Sequence, residues 1–342
     1  MKNISLIIIL SFLFMFGFFA IETIFLHTNP KEVENIFIIE KGTSFLEIGE
    51  KLDEEGLIKN KYPFYFYVIF TNQHNKIKAG EYFLSSKESL FRIVNKIVKG
   101  DIAKEIITIP EGWNLRDIAW YFESKGMFQA EELFEIAGFP ALDLVKSGLP
   151  SHEKFDYEFL QEKPIEISLE GYLFPDTYEI ARGENLKNIV DKMIANFDKK
   201  LTLTLRQEIE NQGKNIFDVI TTASLLEKEV KTKEDKKIVA GILENRLRIN
   251  MPLQIDATIS YITGNKTVRI STEETKIDSP FNTYKYKGLP IGPICNPGLE
   301  SIEAVLNSQD SDYLYYLSTL EGETIFSKTL TEHNIAKAKY LK

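Results

Sequence analysis

Two glutamates with the chemistry of a general acid lie in the stretch ITTASLLEKEV, residues 220–230. If this stretch is helical, Glu227 lies within about 20° of Ile216 and Ile220 and so faces the apolar side of the helix. Glu229 is rotated by about 200° from Glu227 and points almost the opposite way. The two glutamates therefore cannot serve as an acid pair on one substrate, and Glu227 has the more unusual surroundings.

A carboxyl group on an apolar helix face has two interpretations. Burial disfavours the charged form and raises the pKa, so Glu227 is then a protonated acid that donates a proton near neutral pH. In the second interpretation the carboxylate is paired in a salt bridge, for which Arg246 and Arg248 of the following helical segment are candidates. The helix by itself favours the salt bridge.

Composition excludes several classes of function. The chain has 342 residues, of which 44% are hydrophobic and 27% are charged, as expected for a globular protein of two or three domains. Its net charge of −9 and its scattered basic residues predict no nucleic-acid partner. One cysteine, Cys295, excludes an internal disulfide, and the four histidines are far apart. We therefore predict no metal, no cofactor and no Ser-His-Asp site.

An uncharged apolar run occupies residues 3–21. At about 1.5 Å per residue it is long enough to cross the hydrocarbon core of a bilayer. A cleaved signal peptide would need a small residue where Phe18 stands, which favours an uncleaved anchor. The positive charge of Lys2 favours a cytoplasmic N-terminus. We predict a single-pass anchor at 1–28 in the cell membrane, with the rest of the chain outside the cytoplasm.

An internal repeat follows a polar linker. Residues 38–58 align without gaps on residues 108–128, seventy positions later. Each copy predicts a short strand, a turn at a glycine, a helix capped by Ser44 or Asn114, and a glycine stop. Between the copies, the sequence predicts an aromatic helix, a strand and a second helix, at 62–70, 77–84 and 89–100. This module is either a spacer above the membrane or a glycan-binding module, and the pattern alone favours the spacer.

Helical periodicity dominates from residue 130 to residue 249. The helical segments are 131–138, 185–201, 215–230 and 234–249. After residue 250 the chain becomes rich in Pro, Gly, Asn and Tyr, which predicts loops and short strands. Such loops beside a helical core are common locations for binding sites, so we predict an α+β fold with a site formed there.

Five ordered motifs resemble the endolytic murein transglycosylase family, the MltG or YceG-like proteins. They are EGYLFPDTYEI (170–180), ASLLEKEV (223–230), NRLRINMPLQIDATISY (245–261), SPFNTYKYKGLPIGPICNPG (279–298) and the closing YLYYL (313–317) with GETIFSKTLTEHN (322–334). The resemblance covers nearly the whole chain. It implies a LysM-like module at 29–108 and a mainly helical, lysozyme-like catalytic domain with loop and short-strand additions at 109–342.

The resemblance also implies an activity and a catalytic residue. The glutamate at the position of Glu227 is the catalytic acid of that family. It protonates the oxygen between N-acetylmuramic acid (MurNAc) and N-acetylglucosamine (GlcNAc), and then accepts a proton from the MurNAc C6 hydroxyl, which closes a 1,6-anhydro ring. One acid suffices because neither water nor an enzyme nucleophile takes part, unlike in ordinary glycosidases. The implied partners are peptidoglycan strands, the membrane and cell-wall synthases.

Polar residues of the matching loops are candidates for substrate binding. They are Gln254, Asp256, Thr258, Asn282, Tyr284 and Asn296. Asn and Thr side chains in such loops also cap turns, and Asp256 has the alternative role of orienting its neighbours. Glu170 is either a partner that supports the site or a structural acid at the end of a strand.

Two other functions fit the sequence. The first is a hydrolytic muramidase, in which the same acid works with a water molecule. The second is a non-catalytic peptidoglycan-binding scaffold, in which Glu227 is structural. Anhydro-MurNAc ends distinguish a lytic transglycosylase from a muramidase, which leaves reducing ends.

Overall fold

The computed structural model describes residues 32–149, 152–265, 270–319 and 321–341. Within these residues the chain is a mixed helix-and-strand protein with twelve α-helices and three two-stranded sheets. The predicted membrane anchor at 1–28 lies outside the described residues. None of the helices in the described part has both the length and the apolar character needed to cross a membrane.

The regular elements are numbered in chain order. The strands are β1 (Glu34–Ile39), β2 (Gly80–Ser85), β3 (Lys104–Ile109), β4 (Asp176–Ala181), β5 (Tyr315–Ser318) and β6 (Thr324–Ser327). The helices are α1 (Phe45–Glu54), α2 (Lys61–Phe70), α3 (Leu90–Lys99), α4 (Leu115–Ser124), α5 (Ala130–Ala137), α6 (Leu186–Lys200), α7 (Leu203–Asn211), α8 (Ile216–Glu229), α9 (Lys233–Arg248), α10 (Asp256–Thr263), α11 (Leu299–Leu306) and α12 (Leu330–Tyr340). The sheets pair β1 with β2, β3 with β4, and β5 with β6.

Two compact units divide the chain. The first contains the described residues up to Ile107 together with Glu179–Glu184. In it, β1 and β2 run antiparallel with Phe37 opposite Tyr82, and both side chains are fully buried. Helices α1, α2 and α3 contribute the rest of one apolar core, so this unit has the small α+β architecture that its sequence predicts.

Both copies of the repeat form the predicted strand, turn and helix. In the first copy, Ser44 caps α1 and accepts a hydrogen bond from the backbone N–H of Glu47. In the second copy, Asn114 caps α4 in the same way. The turns need residues in the left-handed region, where Gly42 has φ 94° and Gly112 has φ 77°. The repeat is therefore confirmed as a structural unit.

The second unit contains Thr108–Tyr178 and Asn185–Lys342. Helix α8 lies at its centre and contacts α9, α10 and α11. Every residue of α8 from Val219 to Leu226 is buried, so this helix is enclosed on nearly all sides. The four helices expected between residues 130 and 249 are present as α5, α6, α8 and α9.

Four helices of the C-terminal half differ from the prediction. Residues 256–263 were expected in a loop or short strand, but they form the helix α10. Tertiary contacts hold this short helix, because the hydroxyls of Thr258 and Thr283 form a hydrogen bond of 3.1 Å and Tyr261 donates a hydrogen bond to the carboxyl of Glu170. Helices α7, α11 and α12 were not predicted either, and α11 and α12 lie in the part of the chain that was expected to form loops and short strands.

Candidate active site

A cavity of about 450 Å³ lies in the second unit. Its wall is formed by α4 with the turn before it, by the C-terminal end of α8, and by α10 with the residues that follow. The lining is mixed, since it combines the two indoles Trp113 and Trp120 with the charged groups of Arg116, Glu229 and Asp256. Concave sites of this size with a few convergent polar groups are typical of ligand-binding and active sites.

Glu229 is one of three carboxylic acids that line this cavity, with Asp117 and Asp256. It is the last residue of α8 and is partly exposed at the cavity wall. Burial raises the pKa of the Glu229 carboxyl to about 7, and the negative charge of Asp256 acts in the same direction. At neutral pH a substantial fraction of Glu229 is therefore protonated and able to donate a proton.

Two donors also face the Glu229 carboxyl. The hydroxyl of Tyr316 donates a hydrogen bond of 2.8 Å to it, and the backbone N–H of Ala257 lies at the N-terminus of α10 and also donates. Both contacts oppose the rise of its pKa by stabilising the carboxylate. The site therefore accommodates both the acid and its conjugate base, as a group that first donates and later accepts a proton requires.

Glu227 faces the interior, as the helix geometry predicts, and its side chain is 10% exposed. Its carboxylate accepts hydrogen bonds from the Gly298 N–H at 3.1 Å and the Ser301 hydroxyl at 2.6 Å. Because Gly298 precedes α11, these contacts cap the N-terminus of that helix. The buried ammonium of Lys236 lies 3.3 Å from the carboxylate.

The salt-bridge interpretation of Glu227 was right in kind, but its partner is Lys236. The guanidinium of Arg246 donates to the carbonyls of Leu314 and Leu253, and that of Arg248 donates to Asn245. Glu227 thus connects α8 to α9 and α11, an arrangement that suits a structural carboxylate.

Glu170 is a buried carboxyl group beside the cavity wall, with 1% of its surface exposed. It accepts a hydrogen bond from the first N–H of α4, on Leu115, at 3.0 Å and another from the Tyr261 hydroxyl at 3.1 Å. Burial raises the pKa of this carboxyl to about 8, while these two donors oppose the rise. Glu170 therefore joins α4 to α10, the two helices that carry most of the cavity wall, and so supports the site.

Of the six predicted substrate-binding residues, Asp256 lines the cavity. The hydroxyl of Tyr284 donates a hydrogen bond to the Asp256 carboxylate, so this pair lies together. Gln254 is exposed and adopts a left-handed φ of 50°, and its backbone N–H donates to the carbonyl of Thr283.

The other three predicted residues are buried and bonded within the protein. Thr258 donates to the Ile255 carbonyl. Asn282 donates to two loop carbonyls and accepts from the N–H of Tyr284, which holds the loop in its turn. Asn296 accepts from a backbone N–H and donates to the carbonyl of Trp113. The structure thus uses these three side chains to shape the loops around the cavity.

The sequence-based prediction did not include Glu229 or the two tryptophans. It assigned the acid to Glu227 from the resemblance to the transglycosylase family, and the inward direction of that side chain also places it outside the lining of the cavity. The signal for Glu229 was its position at the end of a helix, beside a loop-rich segment, where side chains reach both protein and solvent. Trp113 and Trp120 were visible as the only tryptophans of the sequence.

The fold and the cavity define a class of protein. It is a mixed helix-and-strand protein whose aromatic and polar cleft holds a carboxyl group of raised pKa, an arrangement typical of acid–base enzymes. A family model for the YceG-like family matches residues 37–339. The chain therefore belongs to the YceG-like family.

Known relatives agree with this assignment. A Bacillus subtilis protein named endolytic murein transglycosylase is 33% identical over 331 residues, which are 96% of this chain and 90% of the relative. A Streptococcus pneumoniae protein of the same name is 33% identical and aligns with 99% of this chain, which spans 65% of that longer protein. The crystal structure of a yceG-like protein from Listeria monocytogenes is 31% identical, with a TM-score of 0.58, and the match covers 90% of this chain and all of the other.

Proposed function

We propose that this protein is a lytic transglycosylase that cleaves the MurNAc–GlcNAc bond of peptidoglycan. The observation that carries the proposal is Glu229, a carboxyl group with a pKa of about 7 at the wall of a cavity with polar and aromatic surfaces. The names of the relatives from Bacillus and Streptococcus support the substrate.

In this mechanism Glu229 acts twice. Its protonated form donates to the glycosidic oxygen as the bond from C1 of MurNAc breaks. The carboxylate that remains is stabilised by the Tyr316 hydroxyl and the Ala257 N–H. It then takes the proton of the MurNAc C6 hydroxyl, whose oxygen bonds to C1 and forms the 1,6-anhydro ring. The carboxyl group is thereby restored, and no water is consumed.

The negative charge of Asp256 has two effects in this mechanism. It helps to raise the pKa of Glu229, and it lies in the cavity where positive charge develops at C1 as the bond breaks. Asp256 therefore favours both the protonated acid at the start and the cationic transition state.

The assignment of the acid to Glu229 replaces the sequence-based assignment to Glu227. Glu227 already accepts two hydrogen bonds and pairs with the buried Lys236, so its carboxylate is held by contacts within the protein. We assign to Glu227 the role of holding α11 and α9 against α8.

The cellular setting is also part of the proposal. The apolar run at 3–21 supports a single-pass anchor in the cell membrane, with the catalytic domain outside the cytoplasm. An anchored enzyme would cut nascent strands internally and limit their length, next to cell-wall synthases. The limits at 1–28, 29–108 and 109–342, the LysM-like character of the first module and the lysozyme-like character of the second remain predictions.

Digestion of isolated peptidoglycan, with mass spectrometry of the strand ends, tests the proposal. We expect wild type to produce 1,6-anhydro-MurNAc ends and Glu229→Gln to lose about 10²–10⁴-fold in rate, the contribution of a general acid. Glu227→Gln should retain more activity per folded molecule but lose about 3 kcal/mol of stability, because Lys236 is left without its charged partner.

Each result has a contrary outcome. Reducing ends would show a hydrolase, and the absence of cleavage by wild type would favour a binding scaffold. If Glu227→Gln were folded, as judged by circular dichroism, and less active than Glu229→Gln, the catalytic acid would be Glu227.

A further inference from the structure

The two tryptophans of this 342-residue chain line the same cavity. Trp113 lies in the turn before α4, and Trp120 lies within that helix. Both side chains line the cavity, one from the turn and one from the helix that follows it. The cavity therefore has one aromatic side, formed by the turn before α4 and by α4 itself.

The surrounding structure holds the Trp113 end and the middle of this aromatic side in place. The ring of Trp113 meets Tyr121 edge to face at 5.4 Å, and its carbonyl accepts a hydrogen bond from the Asn296 N–H at 2.8 Å. Between the indoles, Arg116 donates to the Tyr261 carbonyl at 2.6 Å and lies over the Tyr261 ring. The aromatic side is thus built on a helix that is held in position by α10 and by the loop that contains Asn296.

Trp120 remains 48% exposed although it lies in a cavity wall. A single exposed aromatic side chain is common on protein surfaces. What distinguishes Trp120 is that it shares a cavity with a second indole and with the polar side chains of Asp256, Ser260 and Asn265. A flat apolar surface next to hydroxyl, amide and carboxyl groups matches a pyranose ring, which has apolar C–H faces and polar edges.

The internal repeat provides a control for the structural role of the indoles. Thr43 and Glu50 occupy the corresponding positions of the first copy, which forms the same strand, turn and capped helix. The local fold therefore requires no tryptophan at either position. Their presence in the second copy needs another explanation, and the cavity supplies one.

We propose that Trp113 and Trp120 form a stacking surface for N-acetylated pyranose rings of the glycan that enters the cavity of Glu229. This inference rests on the proposed function for the identity of the glycan. It assigns to α4 the task of holding the sugar rings while Glu229 carries out the proton transfers.

Tryptophan fluorescence tests this assignment directly, because the chain has no indole outside the cavity. The full chain carrying Glu229→Gln, which prevents turnover, is titrated with a peptide-free GlcNAc–MurNAc tetrasaccharide. We expect a saturable change of emission. Adding Trp120→Ala should raise the Kd about five- to tenfold, and Trp120→Phe should recover part of the loss.

Kinetics on the active enzyme provides a second measurement. Trp120→Ala should raise KM about five- to tenfold with little change in kcat, as expected when ground state and transition state lose the same contact. Leu203→Ala is the matched control, because Leu203 is a 78% exposed apolar residue of the same unit outside the cavity lining. It should leave Kd and KM unchanged.

Two outcomes would overturn the stacking surface. One is binding of the tetrasaccharide with no change of emission and no effect of Trp120→Ala, and the other is no binding at all. Failure of the proposed function is distinguishable: a saturable, Trp120-dependent change of emission without any cleavage by wild type would keep the stacking surface and remove the transglycosylase activity.

Discussion

The two copies of the repeat have the same local structure and different surroundings. In each, a strand leads through a glycine turn to a ten-residue helix with a side-chain cap, at Ser44 or Asn114. Each helix is followed by a glycine in the left-handed region, Gly56 with φ 70° and Gly126 with φ 67°. The same short-range interactions therefore produced the same element twice.

The two copies differ in their contacts with residues that are distant in the sequence. In the first copy, Glu50 of α1 pairs with Lys61 of the next helix, and the cap at Ser44 is exposed. In the second copy, the buried carboxyl of Glu170 accepts a hydrogen bond from the N-terminus of α4, and the backbone N–H of Asn296 donates one to the carbonyl of Trp113. The comparison teaches that the same local unit forms a cavity wall in the second copy, where buried long-range contacts hold it and two tryptophans line the cavity.

Removing Glu170 tests how much the second copy depends on these contacts. Glu170→Ala should destabilise the protein by about 3 kcal/mol, because the Leu115 N–H and the Tyr261 hydroxyl are left buried without an acceptor. Glu47→Ala, which removes an exposed capping contact of the first copy, should cost less than about 1 kcal/mol. Urea unfolding of the full chain gives both values, and equal costs would contradict the comparison.

The pH dependence of cleavage tests whether Glu229, which lines the same cavity as the second copy of the repeat, is the catalytic acid. Burial raises the pKa of Glu229 to about 7, and the proposed mechanism uses the protonated form in bond breaking. The rate at low substrate concentration should therefore fall above pH 7, by about tenfold per pH unit. Glycan binding to Trp113 and Trp120, followed by fluorescence, should not show this fall. A rate that stays constant from pH 6 to pH 9 would argue against Glu229 as the acid.

Substitutions of the two helix caps should have the smallest effects on stability, and these effects should be nearly equal in the two copies. Ser44→Ala and Asn114→Ala each remove one capping hydrogen bond, and each should cost about 1 kcal/mol in thermal or urea unfolding. Only Asn114 lines the cavity, so Asn114→Ala should also raise KM, while Ser44→Ala should leave the kinetics unchanged. Equal kinetic effects of the two substitutions would remove the distinction between the copies.

Short-range features of the fold were predictable from the sequence. Cap residues, glycine stops and hydrophobic periodicity act over three to five residues, so they identified α1, α4, α8 and α9 without knowledge of the tertiary structure. The helix α10 escaped this reasoning because its β-branched residues are weak helix formers, and its hydrogen bonds to distant side chains compensate.

The amino-acid sequence by itself determined the repeat, most of the helices and the opposite directions of the two glutamates of α8. It could not determine which direction leads to the cavity, since that depends on where other elements pack. Lys236 and the N-terminus of α11 surround Glu227, whereas Asp256 and Tyr316, which is 87 residues away in the chain, surround Glu229. Tertiary structure made this choice, because the desolvation and charge that set a pKa come from groups close in space, however distant in sequence.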